Sequence, residues 1–217
     1  MSKPAFSKLS VATLLAAALV GCGGQEVDQA ATPAEGSQSV ATSVTTPTAD
    51  PATQWMSYGQ DYSEQRYSPL KQITPDNISQ LSLAWYGDLA ERGGSYETTP
   101  LVVDGVIYVS SPWSKVYAFD AKTGAQLWKH DPMVPGQWAV NLCCGIVNRG
   151  VGYWNGKIIW GTLDGRLVAV DAKTGAKAWD QQVTDPAKQL SITGAPRIAD
   201  GRIFIGEAGS EFHMRGY

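Results

Sequence analysis

From about residue 100 onward, apolar and polar residues alternate along the chain in short runs. Two of these runs are VIYVS at 106–110 and KIIWG at 157–161. The first follows the dipeptide Asp104-Gly105 and the second follows Asn-Gly, and both dipeptides favour a tight hairpin turn. Alternation with a period of two residues, bounded by such turns, predicts antiparallel β-strands rather than helices. We therefore expect an all-β protein.

These runs belong to a longer repeat. Residues 102–131 match residues 153–182, and a third copy begins at 198–211. Each full copy contains two hairpins, which together give a unit of four strands. A repeat of about 50 residues is typical of propeller architectures, in which four strands make one blade. The sequence therefore predicts a partial β-propeller of about three blades.

One pattern within the repeat, A-x-D-x-x-T-G-x-x-x-W, occurs at 118–128 and again at 169–179. It resembles the tryptophan-docking motif of the quinoprotein propellers. We expect the Asp to accept hydrogen bonds from the turn, the Gly to adopt a positive φ, and the Trp to pack between neighbouring blades. The pattern thus indicates fold and not chemistry. Trp85 is a candidate for the end of a further outer strand, which in a closed propeller would complete the last blade.

The N-terminus has the pattern of an export signal. Two lysines accompany an apolar stretch at 9–20, which is too short to span a membrane as a helix. The stretch ends in LVGC, which resembles the cleavage motif of bacterial lipoproteins. This resemblance implies a signal peptide over 1–21 and a lipid on Cys22, so we expect a periplasmic protein anchored to the outer membrane. The alternative is an ordinary secretory signal in which Cys22 is incidental. Both interpretations place the mature chain where disulfides form.

Composition divides the rest of the chain into two parts. Residues 22–53 are rich in Ala, Thr, Ser, Pro and Gln and contain no aromatic residue, so they predict a disordered tether. Residues 54–217 form the predicted folded domain. The net charge is -3 and no cluster of Lys and Arg occurs, so nucleic acid is not an expected partner.

Two of the three cysteines, Cys143 and Cys144, are adjacent. Neighbouring Cα atoms lie about 3.8 Å apart, below the range of about 4.4–6.8 Å that suits a relaxed disulfide. If Cys22 carries a lipid, each member of the pair has only the other, or another chain, as a disulfide partner. A bridge between them closes a strained and rigid ring. The alternative is two buried thiols that pack as small apolar groups.

Other candidates for chemistry lie in the linkers around the repeats. Arg149 follows the cysteine pair in NRG, and Glu97 precedes the first repeat in YETTP. Each alone is an ordinary surface residue. In the loop GEAGSEF at 206–212, small residues allow a flat ligand to approach backbone amides, and a carboxylate is available to a hard cation. The small residues are Ala208, Gly209 and Ser210, and the carboxylate is that of Glu211.

Taken together, these features resemble one family. The segments ETTP, CCG-x-x-NRG, TGAPR and GSE followed by RGY occur in this order, and they resemble the PQQ-dependent alcohol dehydrogenases, the quinoprotein methanol and ethanol dehydrogenases. Residues 55–81 are also similar to the opening of the mature domain there, so the resemblance extends to Tyr217. It implies an eight-bladed propeller, of which this chain supplies about three blades. PQQ (pyrroloquinoline quinone) would lie on the axis, with Ca²⁺ or a lanthanide beside it.

The resemblance also implies roles for individual residues. A disulfide between Cys143 and Cys144 would pack against one face of the quinone, and Glu211 would ligate the metal. The metal polarises the carbonyl that accepts hydride from a small alcohol, which leaves as an aldehyde, and a cytochrome c type protein takes the electrons. The residues implied to hydrogen-bond PQQ or to line its pocket are Glu97, Arg149, Thr193, Ala208, Gly209 and Ser210.

The chain also departs from the family pattern. His213 stands where a very small residue is more usual, and we assign it no catalytic role. The family's catalytic Asp, an Asn metal ligand and the Trp on the other face of PQQ lie further along, and the triplet D-x-D expected near the base is absent from the printed sequence. We therefore expect an N-terminal portion of such an enzyme that contains no catalytic residue and does not turn over alcohols by itself.

Two other functions share these repeats. A non-enzymatic lipoprotein propeller that scaffolds outer-membrane assembly fits the lipid anchor, but it has no use for adjacent cysteines, Arg149 or Glu211. A PQQ-dependent sugar dehydrogenase shares the docking motif, and the adjacent cysteines favour the alcohol branch over it. The sequence does not choose among methanol, ethanol and longer alcohols.

Overall fold

The computed structural model describes residues 46–89, 93–210, 213 and 215–216, apart from the side chain of Asn141. All of these residues lie in the compact unit Thr42–Tyr217. The predictions for the signal peptide, for Cys22 and for most of the tether lie outside the described residues. No helix in the described part of the chain is both long and apolar enough to cross a membrane.

Two antiparallel sheets of four strands follow one another along the chain, each with its strands paired in chain order. The first sheet contains β1 (Leu101–Val103), β2 (Val106–Ser110), β3 (Val116–Asp120) and β4 (Gln126–His130). The second contains β5 (Gly152–Trp154), β6 (Lys157–Gly161), β7 (Arg166–Asp171) and β8 (Lys177–Gln182). The hairpin of β9 (Arg197–Ala199) and β10 (Arg202–Phe204) begins a third unit. The all-β prediction is confirmed.

Among the residues that the structure describes, helical structure is limited to short 3-10 segments. The 3-10 helices are Pro51–Thr53, Ile78–Gln80, Pro112–Ser114 and Gly136–Asn141, and the described residues contain no α-helix. The strands therefore form two complete blades and the first hairpin of a third, as the repeat of about 50 residues predicts.

The first turn of each unit is a two-residue hairpin loop. The backbone φ is 48° at Asp104 and 77° at Gly105, and it is 46° at Asn155 and 71° at Gly156. Positive φ at both central residues is the geometry that matches the right-handed twist of the flanking strands, and it favours Asn or Asp followed by Gly. The turn chemistry read from the sequence thus fixes where each blade begins.

A second turn in each blade is held by an aspartate. Asp120 Oδ1 accepts hydrogen bonds from the N–H groups of Lys122 at 3.0 Å and Thr123 at 2.7 Å, and from the Thr123 hydroxyl at 2.8 Å. Asp171 accepts the equivalent three bonds in the next blade. The threonine hydroxyl is the largest cause that holds the pKa of each carboxyl below its usual value. The predicted structural role of the aspartates is confirmed.

Tryptophans join successive units. The Trp128 indole lies over Gly175 of the second blade, where a Cβ atom would sit 2.8 Å from ring carbon Cδ2, and its Nε1–H donates to Ala172 O at 2.9 Å. Trp85 lies over Gly124 of the first blade in the same way, and its Nε1–H donates to a carbonyl of that turn at 3.0 Å. The residues around Trp85 form no strand, because they have no neighbouring strand to pair with among the described residues. Its ring nevertheless docks as the motif predicts.

The apolar core lies between the two complete blades. Several side chains are fully buried there, namely Leu101, Val116, Ala118, Ile158, Trp160, Val168 and Val170. Two polar groups that enter this core are paired: Tyr108 donates its hydroxyl to Ala172 O at 3.1 Å, and Trp160 Nε1–H donates to Ser114 O at 2.8 Å. Burial raises the pKa of the Tyr108 phenol, so this hydroxyl remains a donor at all ordinary pH values.

The segment ahead of the first blade packs along its edge. Trp55 and Val102 exchange backbone hydrogen bonds of 2.8 and 2.9 Å. The N–H groups of Thr48 and Ala49 donate to Asp104 Oδ1 at 2.8 and 2.9 Å. Ordered contacts therefore begin several residues before the predicted domain start at residue 54.

Candidate functional site

Three linkers, each leading into the first strand of a unit, run side by side. The N–H of Thr99 donates to Arg149 O at 3.2 Å, and the N–H of Arg149 donates to Thr193 O at 2.9 Å. Thr99 and Gly150 also form an isolated parallel bridge. These backbone bonds bring together residues that lie about one repeat apart in the sequence. The non-repetitive linkers thus meet at one place in the fold.

The side chains of these linkers converge on Arg149. Its Nη2 contacts Glu97 Oε2 at 2.8 Å, and its Nη1 donates to Thr193 Oγ1 at 2.7 Å. About a third of the Arg149 and Glu97 side chains remains exposed. The structure therefore brings together Glu97, Arg149 and Thr193, three of the residues that the sequence predicts to bind a ligand. A planar guanidinium held on two sides retains a fixed orientation, which suits recognition of a carboxylate.

The buried side-chain amide of Asn148 fixes the backbone next to Arg149. Asn148 is 1 % exposed; its Nδ2 donates to Gly161 O at 2.9 Å and its Oδ1 accepts from the N–H of Gly150 at 3.1 Å. Both polar ends of the side chain are satisfied, so the backbone on either side of Arg149 is held in place. Sequence reasoning missed Asn148; the available signal was its position directly before Arg149.

A pocket of about 680 Å³ opens beside Arg149 and Thr193. Ala208 lines it, and the Ala208 backbone is fixed by a pair of hydrogen bonds with Ser191, of 2.7 and 3.1 Å. Among the described residues, Gly209 and Ser210 do not line this pocket, although they adjoin Ala208 in the chain. The remaining lining residues are Tyr58, Gly194, Ala195, Arg197, Phe204, Ile205, Gly206 and Glu207.

Glu207 is a pocket residue that sequence reasoning missed. Its Oε1 atom is buried and has no hydrogen-bond partner among the described residues. A carboxylate oxygen in that state is costly unless a ligand donor or a cation completes it. The signal is present in GEAGSEF, but the family motif predicts a role only for the second glutamate of that loop, Glu211.

Cys143 and Cys144 lie in the turn after the helix Gly136–Asn141 and are both exposed thiols in this structure. Their exposure differs from the buried packing that was the alternative to a disulfide. Among the described residues, neither cysteine lines the 680 Å³ pocket. The disulfide stays a prediction.

Glu211, the predicted metal ligand, lies outside the described residues. His213, the residue that departs from the family pattern, is exposed, and its N–H donates to Ser210 O at 3.0 Å. Within the described part of the chain, no three or more His, Cys, Asp or Glu residues are grouped so as to hold a metal ion.

Comparison with known proteins agrees with this geometry. The family model described as "PQQ: Glucose/ethanol/alcohol dehydrogenase, beta-propeller domain" matches residues 55–208. The chain belongs to this family. The resemblance drawn from the linker motifs is therefore confirmed, and so is the partial propeller.

Individual members of the PQQ propeller family are similar over the same region. The quinohemoprotein alcohol dehydrogenase ADH IIB of Pseudomonas putida is 54% identical over 164 residues, which is 76% of this chain and 24% of that protein. The 1-butanol dehydrogenase (cytochrome c) of Thauera butanivorans is 50% identical over 165 residues, again 76% and 24% of the two chains.

One solved structure adds a metal to the comparison. A europium-containing methanol dehydrogenase superposes with a TM-score of 0.68 at 40% identity, covering 76% of this chain and 29% of that one. The present chain thus spans about a quarter of the length of the curated relatives it matches.

Proposed function

We propose that this chain forms part of a PQQ-dependent alcohol dehydrogenase and contributes one wall of its PQQ site. The observation that carries the proposal is Arg149, held between Glu97 and Thr193 beside a 680 Å³ pocket in a member of the PQQ propeller family. A small alcohol would be the substrate and an aldehyde the product. The relatives named above are alcohol dehydrogenases, which supports this substrate class.

The described residues fit PQQ chemically. PQQ is a flat, anionic quinone that carries carboxylates, so a guanidinium and a hydroxyl donor are suitable partners, and Arg149 and Thr193 supply them side by side. Glu207 Oε1, which is buried and has no hydrogen-bond partner in the described part of the chain, offers an acceptor to a donor of the ligand or to a cation. The small side chain of Ala208 leaves room in the pocket where it lines the wall.

When bound, PQQ supplies the group that accepts hydride from the alcohol. The residues of this chain would hold and orient the cofactor. Arg149 neutralises a carboxylate, while Glu97 keeps the guanidinium from rotating, and Thr193 fixes its other edge. The backbone bonds of the three linkers keep these side chains in register. In this proposal Ala208 would line the cofactor's pocket; Gly209 and Ser210 adjoin Ala208 in the chain but, among the described residues, do not line that pocket.

We further propose that Cys143 and Cys144 form a disulfide that lies against one face of the quinone. Both thiols are exposed, so an oxidant of the export compartment can reach them. Oxidation removes one hydrogen from each thiol, forms the S–S bond and passes two electrons to that oxidant. Intact-mass measurement of exported protein without reductant tests this, because the disulfide form is lighter by two hydrogens.

We also propose a metal, an electron acceptor and a cellular location for this protein. Glu211 would ligate Ca²⁺ or a lanthanide, which the europium-containing relative supports. A cytochrome c type protein would accept the electrons, which the name of the Thauera butanivorans relative supports. Lipid on Cys22 would anchor the chain in the periplasm at the outer membrane, as the LVGC motif suggests.

Binding of PQQ to the purified chain in the presence of Ca²⁺ tests the proposal, measured by quenching of tryptophan fluorescence. We expect the unmodified chain to bind one equivalent. Arg149→Ala should weaken binding by about 10- to 100-fold, because hydrogen bonds to a charged group contribute about 1.5–3 kcal/mol. Arg202→Ala, which removes an exposed arginine of β10 outside the pocket, is the matched control. Equal binding by the Arg149 and Arg202 variants would exclude the proposed site.

A further inference from the structure

A tyrosine shared by two arginines stands at the pocket. The guanidinium carbon of Arg66 and that of Arg197 each lie 4.4 Å from the centroid of the Tyr58 ring. Tyr58 and Arg197 both line the pocket that contains Arg149. A second guanidinium therefore belongs to this cavity besides the one that the linker motifs predict.

Arg197 is held by contacts that leave its charge beside the cavity. Its Nε contacts Glu64 Oε1 at 3.1 Å, and its Nη1 donates to Ala195 O at 3.3 Å. The ring of Tyr58 covers the guanidinium from another side. A long side chain fixed by an ion pair, a carbonyl and an aromatic ring has little rotamer freedom left to lose when a ligand binds.

The contacts around Tyr58 are also connected to Arg149. Arg66 Nη2 donates to Thr99 Oγ1 at 3.0 Å, and the N–H of Thr99 donates to the carbonyl of Arg149. Tyr58 thus connects the linker that carries Arg149 to the strand that begins with Arg197. The two guanidiniums of the pocket are mounted on one connected set of contacts.

These contacts contribute little to stability. An exposed cation–π pair stabilises by about 0.5–1 kcal/mol, and an exposed ion pair such as Arg197–Glu64, whose side chains are 43% and 41% exposed, by about 0–1 kcal/mol. Their consistent effect is orientation: each holds the Arg197 guanidinium at the pocket wall. Preorganised cations of this kind favour anionic ligands.

We propose that Arg197 is a second anion-binding residue of this pocket, which takes a carboxylate other than the one that Arg149 holds. Tyr58 and Glu64 are its positioning residues. The ligand class is an aromatic polycarboxylate, and the inference rests on the proposed function only for the identification of that ligand as PQQ. The two guanidiniums that line the pocket then bind two carboxylates of one rigid molecule.

Two probes test the proposal on the full chain: PQQ with Ca²⁺, and benzene-1,3,5-tricarboxylate without Ca²⁺, both titrated over a range of salt concentrations. We expect Arg197→Gln to weaken both probes by about tenfold or more and to make the affinity less dependent on salt, since one of two screened attractions is lost. Arg202→Gln, which removes the same charge from the neighbouring strand outside the pocket, should change neither quantity.

Variants of Tyr58 separate positioning from general destabilisation. Tyr58→Phe keeps the aromatic face and should bind both probes like the unmodified chain. Tyr58→Leu should weaken binding several-fold, and adding Arg197→Gln to it should weaken binding by less than the product of the two single effects. Thermal unfolding of each variant without ligand shows whether the fold persists. A purely structural role predicts a loss of stability with unchanged salt dependence.

The outcomes distinguish the two proposals. If PQQ binds and Arg197→Gln behaves like Arg202→Gln with both probes, the anion-binding role of Arg197 is wrong and the proposed function stands. If the tricarboxylate binds through Arg197 while PQQ does not bind, the proposed function is wrong and the role of Arg197 stands. If neither probe binds the unmodified chain, both proposals are overturned.

Discussion

Asp120 and Asp171 show how one carboxylate can organise a turn. Each accepts hydrogen bonds from two backbone N–H groups and a threonine hydroxyl through one oxygen atom. These bonds are stronger while the carboxylate is ionised than after it is protonated. The pKa of each carboxyl is accordingly below its ordinary value, with the threonine hydroxyl as the largest cause. The turns that receive the docking tryptophans are therefore sensitive to acid.

The direction of this pH dependence follows from linkage. A carboxyl with a folded-state pKa below its unfolded value contributes stability that is fully present above the unfolded pKa and is lost as the pH falls through the folded pKa. Stability should therefore decline as the pH falls below the ordinary carboxyl value of 3.8. We expect the double variant Asp120→Asn, Asp171→Asn to show a shallower decline in the free energy of unfolding, measured with urea. Asp76→Asn, an exposed carboxyl outside these turns, is the control and should keep the full decline.

For Glu207 we expect that removing the negative charge does not destabilise the fold. Its buried Oε1 has no hydrogen-bond partner among the described residues, so an amide at this position gives up no hydrogen bond of that atom. We expect Glu207→Gln to leave the free energy of unfolding unchanged or to raise it by up to about 1 kcal/mol in the absence of ligand. Glu64→Gln, which breaks a formed ion pair with Arg197, should not raise it. A clear loss of stability in the Glu207 variant would show that this carboxylate already has a stabilising partner.

At the scale of elements, local chemistry makes the blades predictable. The Asp-Gly and Asn-Gly turns require positive φ at neighbouring positions, and the alternation around them gives the strands, so both can be read without knowledge of the rest of the fold. The docking of Trp128 on Gly175 follows from the same repeat.

The site is a different matter, because it depends on contacts between distant linkers. Periodicity does not show that Glu97, Arg149 and Thr193 meet; only the family resemblance indicated it. Tyr58 and Glu207 were missed because their significance comes from where neighbouring units place them, and no local pattern marks that. The strand expected at Trp85 did not form, since a strand needs a paired neighbour.

The tryptophan docking can be tested at equivalent positions of the two blades. Trp128 is 8% exposed and donates to Ala172 O, whereas Trp179, at the corresponding place in the second blade, is only partly buried. We expect Trp128→Phe to lower the free energy of unfolding by about 2 kcal/mol, through a lost hydrogen bond and an incompletely filled site. Trp179→Phe should lower it by less than about 1 kcal/mol. Equal losses in urea unfolding would mean that docking on the following turn is not what stabilises Trp128.

At the scale of the whole molecule, buried and exposed apolar surface are unevenly distributed. The packed core lies between the two complete blades, while the segment between residues 67 and 86 exposes many large apolar side chains. These are Tyr67, Leu70, Ile73, Ile78, Leu81, Leu83 and Tyr86. A concentration of this kind on one segment is typical of a surface that another polypeptide covers. A net charge of only -3 gives little repulsion between copies.

We therefore expect the purified chain to self-associate through this segment at micromolar concentrations, and to be measurable as such by sedimentation velocity. The double variant Leu81→Gln, Leu83→Gln should shift the population towards monomer, because two side chains that are 59% and 78% exposed lose their apolar contribution to the contact. Met133→Gln with Val140→Gln, a pair that is 76% and 81% exposed and lies outside the segment, is the control and should leave association unchanged. A monomeric unmodified chain, or an equal shift in both double variants, would show that residues 67–86 are not the associating surface.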